Sequence, residues 1–168
     1  MGKKRIYEGK IVNLSVESRT LPTGVDTTLE IIRHPGAVLI IPYAGPGAVL
    51  MLRQYRPVVE EYLWEFPAGT LDPGESIREC ARRELREETG YSARRFKKCG
   101  VIYPAPGYSN ETIVLYEARE LRMGLPDREE DEIIEVRELT LPRVMSLCSN
   151  GKIKDAKTLS ALQYLRSG

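Results

Sequence analysis

The chain has 168 residues, 42% of them hydrophobic and 29% charged, enough to bury one core but too few for two independent domains. Lys and Arg number 25 against 24 Asp and Glu, a formal charge of +1, so no global basic field would hold nucleic acid or an acidic membrane, and an anion must be bound locally. His34 is the one histidine, which excludes a His-rich zinc site and HExxH chemistry and leaves carboxylates as the natural catalysts.

The amino-terminal third reads as strands. Apolar or β-branched segments at Lys10 to Ser18, Thr27 to Arg33, Ala37 to Tyr43 and Ala48 to Tyr55 are separated by turn chemistry at Leu21 to Gly24, His34 to Gly36 and Ala44 to Gly47. Gly45-Pro46-Gly47 between two short apolar runs predicts a hairpin. From Ser76 the period changes. Ile77, Cys80, Ala81 and Leu85 recur at three- and four-residue spacing, which predicts an amphipathic helix ending at Gly90, with Ser76 and Glu79 in capping-box positions. Strands follow at Lys97 to Tyr103, Thr112 to Glu117 and Ile133 to Val136, around the Pro104 to Gly107 loop. Two helices, Leu141 to Ser149 and Ala156 to Arg166, are broken at Asn150-Gly151. The expected class is α+β, an antiparallel-rich sheet with a few helices packed on it. Cys80, Cys99 and Cys148 are widely spaced and odd in number, and read as reduced thiols. The amino terminus lacks the apolar stretch of a signal peptide and no apolar run approaches a membrane span, so a cytoplasmic location is expected.

Glu84, Glu87 and Glu88 fall at i, i+3 and i+4 of the predicted helix, near one face. Like charges so placed repel and ask for a counter-charge, either Arg83 and Arg86 or a bound cation. The loop ahead of them supplies more. Gly69, five residues, Glu75, seven residues, then Arg83-Glu-Leu-Arg-Glu-Glu-Thr-Gly90 resembles the Nudix box, Gx5Ex7REUxEExGU, with Tyr91 in place of the final aliphatic residue. The chemistry suits the residues: water attacking a diphosphate must approach a phosphorus shielded by negative oxygens, and a hard cation held by carboxylates both neutralises that charge and acidifies bound water.

The resemblance implies a Nudix α/β/α sandwich with a mixed central sheet and an N-terminal antiparallel sheet. Residues 1–34 would form a β region for dimerisation and part of the nucleotide pocket, and residues 35–168 the hydrolase domain. It implies Mg2+, with Mn2+ as an alternative, held by Glu84 and Glu88 with the carbonyl of Ala68. Glu87 lies close by in a catalytic role, Arg83 orients the glutamates, Glu75 holds the loop against the helix, and Gly69 and Gly90 are the structural glycines. Gln54-Tyr-Arg-Pro57, Trp64-Glu-Phe-Pro-Ala-Gly69 and Pro106-Gly-Tyr-Ser-Asn110 are similar to segments of the ADP-ribose and nucleoside-diphosphate-sugar pyrophosphatases, Pro106 lying sixteen residues beyond Gly90. On that likeness Arg56 contacts a substrate phosphate, Thr70 faces the terminal ribose, Pro106 marks the ADP-ribose preference, and Arg33 could serve the nucleotide. In the acidic run before Ile134-Glu-Val136 the general base matches Glu132 first and Glu130 second. The implied reaction is hydrolysis of ADP-ribose to AMP and ribose 5-phosphate by a homodimer, without nucleic acid or membrane partners. GDP-mannose or another nucleoside diphosphate sugar is the alternative substrate, and a non-catalytic ligand-sensing module the other alternative. His34 and Trp64 read as structural, and the adenine could stack on Tyr7.

Overall fold

The computed structural model describes residues 2–9, 12–124 and 133–165. Among these described residues, ten strands and three helices follow in chain order: β1 (Lys3–Glu8), β2 (Asn13–Thr20), β3 (Asp26–Arg33), β4 (Ala37–Gly45), β5 (Ala48–Arg56), β6 (Glu61–Glu65), β7 (Ala68–Thr70), α1 (Ile77–Thr89), β8 (Tyr91–Ile102), β9 (Ile113–Met123), β10 (Ile134–Thr140), α2 (Leu141–Ser149) and α3 (Ala156–Ala161), the last followed by a 3-10 turn at Leu162–Tyr164.

Strand β4 organises the core. Its run Ala-Val-Leu-Ile-Ile-Pro-Tyr is buried throughout, as a strand covered on both faces must be. Leu39, Ile41 and Tyr43 pack with Phe66, Val144, Leu147 and Ala161 on the side of α2 and α3, while Val38 and Ile40 pack with Cys80, Ala81 and Leu85 of α1 on the other. Helix, sheet and helix thus form three layers. Each fully buried Leu or Ile contributes roughly 1.5–3 kcal/mol over an exposed one, so this two-sided burial is a large part of the stabilisation.

The sheet is mixed. β4 runs parallel to β9, and β8, β10, β6 and β7 join antiparallel. β4 and β5 pair only beside their hairpin, at Tyr43↔Val49 and Gly45↔Ala48. Beyond it they diverge, β4 taking β7 as its partner (Leu39↔Ala68) and β5 taking β6 (Leu52↔Glu65). That split opens a cleft between the strands, bordered by α1 and α3. β1, β2 and β3 form a separate antiparallel sheet. It is stapled to the rest through the Pro104 to Asn110 loop: Ile32 N donates to Tyr108 O (2.8 Å), Asn110 N to Ile32 O (3.3 Å), and His34 N to Asn110 Oδ1 (2.9 Å).

Several boundaries differ from the expected ones. β1, β6 and β7 were not anticipated, because β1 is exposed along its whole length and β6 and β7 are short. β8 begins at Tyr91 rather than Lys97, its charged Arg94, Arg95, Lys97 and Lys98 hiding the alternation. β9 continues to Met123 and β10 runs to Thr140. The last helix is regular only to Ala161. The expected helix after the loop is present, with Ser76 as N-cap, both capping-box hydrogen bonds to and from Glu79, and Gly90 closing it at φ 78°.

Candidate active site

The split between β4 and β5 holds a cleft of about 1070 Å3, lined by Ala37 and Val38 of β4, Gln54 and Arg56 of β5, Glu65 of β6, the Ala68 to Thr70 strand, the α1 carboxylates, and Asp155 and Lys157 at α3. Its lining carries seven carboxylates against three cationic side chains, a balance that repels a bare diphosphate and attracts a divalent cation.

Helical spacing places Glu84, Glu87 and Glu88 on the cleft side of α1. Glu84 and Glu88 are buried, an expensive position for like charges without compensation. Arg83 supplies part of it. Its Nη1 donates to Glu84 Oε1 (2.7 Å) and Glu87 Oε2 (3.1 Å), its Nε to Glu75 Oε1 (2.9 Å), and its Nη2 to Glu75 Oε2 (3.0 Å) and the Thr70 carbonyl (3.0 Å). The hydrogen bonds from Arg83 hold the Glu75 carboxyl below its ordinary range, and the Glu75 bond in turn raises the Arg83 pKa, so the cation persists at any working pH. One planar fork therefore ties the incoming loop to two of the three glutamates, a task for which lysine lacks the geometry. Glu88 Oε2 accepts from Ala68 N (2.9 Å), fixing the third to β7.

Gly69 is required by close approach. A Cβ there would stand 1.9–2.3 Å from the Glu84 carboxylate, so only hydrogen fits between β7 and α1. Cys80, beneath the same loop, has its thiol pushed up to about 12 by burial with Glu84 and Glu75 nearby, and stays protonated rather than serving as a nucleophile. Among the described residues no three His, Cys, Asp or Glu side chains converge as a ready-made metal cluster. Arg83 Nη1 bridges Glu84 and Glu87, while Glu88 is tied to Ala68 N. The donors are nonetheless hard carboxylate oxygens crowded on one face of the cleft, the set that suits Mg2+.

Opposite the glutamates lies a cationic pair. Arg56 Nε donates to Glu65 Oε1 (2.8 Å) and its Nη2 to Glu65 Oε2 (2.7 Å); Lys157 Nζ also donates to Glu65 Oε2, and to Asp155 Oδ1 (2.8 Å). Glu65 is 1% exposed. Burial pushes its carboxyl up, but the Arg56 and Lys157 bonds outweigh that and its pKa is lowered on balance. Asp155 caps α3 through Thr158 N (2.9 Å), and Thr158 Oγ1 accepts from Phe66 N (3.0 Å), so the carboxy-terminal helix is pinned to the β6–β7 connection.

A protein-family model described as NUDIX domain matches residues 33–162. The chain belongs to the Nudix family. Among curated relatives, this Nudix chain is 39% identical over 168 residues to the ADP-ribose pyrophosphatase of Bacillus subtilis (strain 168), covering 99% of the chain and 91% of that protein. It is 38% identical to the methanol dehydrogenase activator of Bacillus methanolicus (97% and 89% covered) and 34% identical to the GDP-mannose pyrophosphatase of Yersinia enterocolitica serotype O:8 (84% and 79%). A solved structure titled as an ADP compounds hydrolase superposes with a TM-score of 0.83 at 25% identity, covering 97% of this chain and 89% of that one.

Of the residues expected at the Nudix site, Ala68, Gly69, Thr70, Arg83, Glu84, Glu87, Glu88 and Arg56 line one cleft. Glu75 stands behind it on Arg83, and Gly90 caps α1. Arg33 and Pro106 are not brought in. Arg33 Nη2 is held on both oxygens of Glu17 (2.6 Å each) within the β1–β3 sheet, and Pro106 sits exposed on the loop joining that sheet to the rest. Glu130 and Glu132 lie outside the described residues. His34 accepts from Gly36 N at Nδ1 (3.1 Å), a structural turn. Sequence reasoning assigned no role to Glu65, Lys157, Asp155 or Gln54. Gln54 is 5% exposed and its Oε1 has no partner among the described residues. The signal for Lys157 was slight: an Asp155 cap two residues ahead of it and a buried threonine after it.

Proposed function

We propose that this Nudix protein hydrolyses the pyrophosphate bond of ADP-ribose, giving AMP and ribose 5-phosphate. The observation that carries the proposal is the convergence of Glu84, Glu87 and Glu88 with Arg56 in one cleft large enough for a nucleotide. The ADP-ribose pyrophosphatase of Bacillus subtilis, similar over nearly the whole chain, supports the substrate. Glu84 and Glu88, with the Ala68 carbonyl, would hold Mg2+, and Mn2+ is the alternative; the ion supplies charge neutralisation on the diphosphate and a bound water of lowered pKa. The remaining work falls to side chains. Arg56 binds a phosphate oxygen with a charge that never titrates away. Arg83 and Gly69 set where Glu84 and Glu87 stand, and Thr70 faces the ribose. The proton of the attacking water passes to Glu132, with Glu130 the second choice and Glu87 a further candidate in the cleft. The proposal includes a cytoplasmic location, a homodimer and a division into residues 1–34 and 35–168, the first contributing to dimerisation and the nucleotide pocket. Exposed Ile6, Tyr7 and Leu29 on the amino-terminal sheet support a contact with a second copy, through which Arg33 could reach substrate. Among the described residues no helix is long and apolar enough to cross a membrane.

GDP-mannose is the second reading, favoured by the Yersinia relative. A purely sensing role is opposed by the complete box. Release of AMP from ADP-ribose with Mg2+, measured for the wild type and Glu88→Gln, tests the proposal: turnover should fall by three orders of magnitude or so in the folded variant. Undiminished activity in Glu88→Gln would refute the metal assignment.

A further inference from the structure

The cleft has two poles. One is the carboxylate face of α1; the other is Arg56 and Lys157 gathered on Glu65. We infer that Lys157 is a second substrate-phosphate ligand, and that Glu65 is the positioning residue that joins it to Arg56 as a two-cation clamp. The inference rests on the diphosphate-hydrolase reading of the cleft and extends it to residues from β6 and α3.

Three observations carry it. First, both cations reach the same carboxylate oxygen, Glu65 Oε2, so their charges are held side by side. Glu65 and Asp155 together balance the two cations, so this side of the cleft is locally neutral while the α1 side is strongly acidic. Second, both keep donors to spare. Arg56 uses Nε and Nη2 on Glu65, leaving Nη1 without a partner among the described residues, and Lys157 uses two of its three ammonium hydrogens on Glu65 and Asp155. Third, the arrangement is built rather than incidental. Glu65 is 1% exposed, Lys157 has a side chain only 18% exposed, and α3 is anchored at that point by Asp155 on Thr158 N and by Thr158 on Phe66 N. Burying a carboxylate is costly unless it is paired, and this one is paired with two groups that line the cleft.

A nucleoside diphosphate carries adjacent anionic phosphates, and a Lys–Arg pair fixed at neighbouring positions suits it: the guanidinium supplies directional donors and the ammonium a compact charge. The diphosphate would then lie with one side toward the α1 carboxylates and their metal and the other on the clamp.

Charge and position predict opposite signs for Glu65. Removing a negative charge beside two cations should tighten anion binding if only the field matters; losing the residue that aims them should weaken it. The experiment measures steady-state kinetics on ADP-ribose with Mg2+, calorimetric Kd for ADP with Mg2+, and thermal melts, for the wild type, Lys157→Met, Lys157→Arg, Glu65→Gln and the Glu65→Gln/Lys157→Met double variant. Lys157→Met should raise KM and the ADP Kd by roughly 10- to 100-fold, with a smaller change in kcat, as loss of a charge-assisted hydrogen bond implies. Lys157→Arg should recover most of that loss. Glu65→Gln should weaken binding, and adding Lys157→Met to it should cost less than in the wild type, because the clamp is already undone. An unchanged KM and Kd in Lys157→Met, with or without a lowered melting temperature, would overturn the assignment of Lys157. Tighter binding in Glu65→Gln, or strictly additive losses, would overturn the positioning role. A wild type that binds ADP through Lys157 yet leaves ADP-ribose intact would refute the proposed substrate and keep the clamp.

Discussion

Replacing Gly69 by alanine separates the fold from the site. The added Cβ would fall 1.9 Å from Glu84 Oε1 and 2.0 Å from its carboxyl carbon, whereas ordinary contact begins near 3.4 Å, so the carboxylate must retreat by about 1.5 Å. Nothing else stands as close. The colliding atoms are the far end of one side chain, and Gly69 does not use the left-handed backbone region that alanine avoids, so the β7 backbone tolerates the change. Stability should move little. Loss of the Arg83–Glu84 hydrogen bond costs at most about 1–2 kcal/mol, since Arg83 keeps Glu75, Glu87 and Thr70, and the stiffer unfolded chain returns roughly 0.4–1 kcal/mol. Catalysis should suffer far more, because displacing a positioned group by about 1 Å costs on the order of 100-fold. Melting curves together with kcat/KM on ADP-ribose across a Mg2+ titration provide the assay. The expected result is a melting temperature within a few degrees of wild type, a kcat/KM lower by roughly two orders of magnitude, and a higher Mg2+ requirement. Activity within threefold of wild type, or a protein that no longer folds, would refute the claim that Gly69 exists to make room for Glu84.

Two further outcomes follow from the hydrogen-bond geometry. Thr158→Val leaves the buried Phe66 N–H without its acceptor, which should cost about 1–3 kcal/mol and lower the melting temperature by several degrees, while Thr158→Ser should retain most of the stability; equal melting of Val and Ser variants would contradict this. The Glu17 carboxyl is held down to about 2 by its bond to Arg33, against an ordinary 4.5, with Ser15 and Arg19 assisting against the cost of burial. A depressed folded-state pKa means its stabilisation is complete above about pH 4.5 and is lost as pH falls toward 2. Thermal melts between roughly pH 5 and 2.5 should therefore decline more steeply for wild type than for Glu17→Gln, and parallel declines would contradict the assignment.

Much of the site was legible because its logic is local. The Ser76 cap, the Gly90 stop and the three glutamates all sit within one helix and its lead-in loop, where spacing along the chain is also spacing in space. Gly69 and Glu75 were recognisable by their place in the box, but the reasons they are needed, contact with Glu84 and the bond to Arg83, appear only in three dimensions. Lys157 lies 92 residues from Glu65 in sequence, and no periodicity links them; only the packing of α3 on the β6–β7 connection brings them together. Arg33 illustrates the same limit: a strand-end arginine is visible in the sequence, whereas its bonds to the buried Glu17 across the β2–β3 pair appear only in the fold. β1 escaped notice because an all-exposed strand has no apolar alternation to read, and β6 because a five-residue strand of mixed character resembles a loop. The near-zero net charge likewise concealed the polarity that matters, an acidic helix face opposite a cationic pair.

Substrate choice is decided by comparing kcat/KM with Mg2+ for ADP-ribose, GDP-mannose, ADP-glucose, FAD and 8-oxo-dGTP, with products resolved by chromatography. ADP-ribose is expected to be the best substrate, AMP and ribose 5-phosphate to appear in equal amounts, and chelation of the metal to stop the reaction. A higher kcat/KM for GDP-mannose, or ADP-ribose cleavage that survives chelation, would contradict the proposed function.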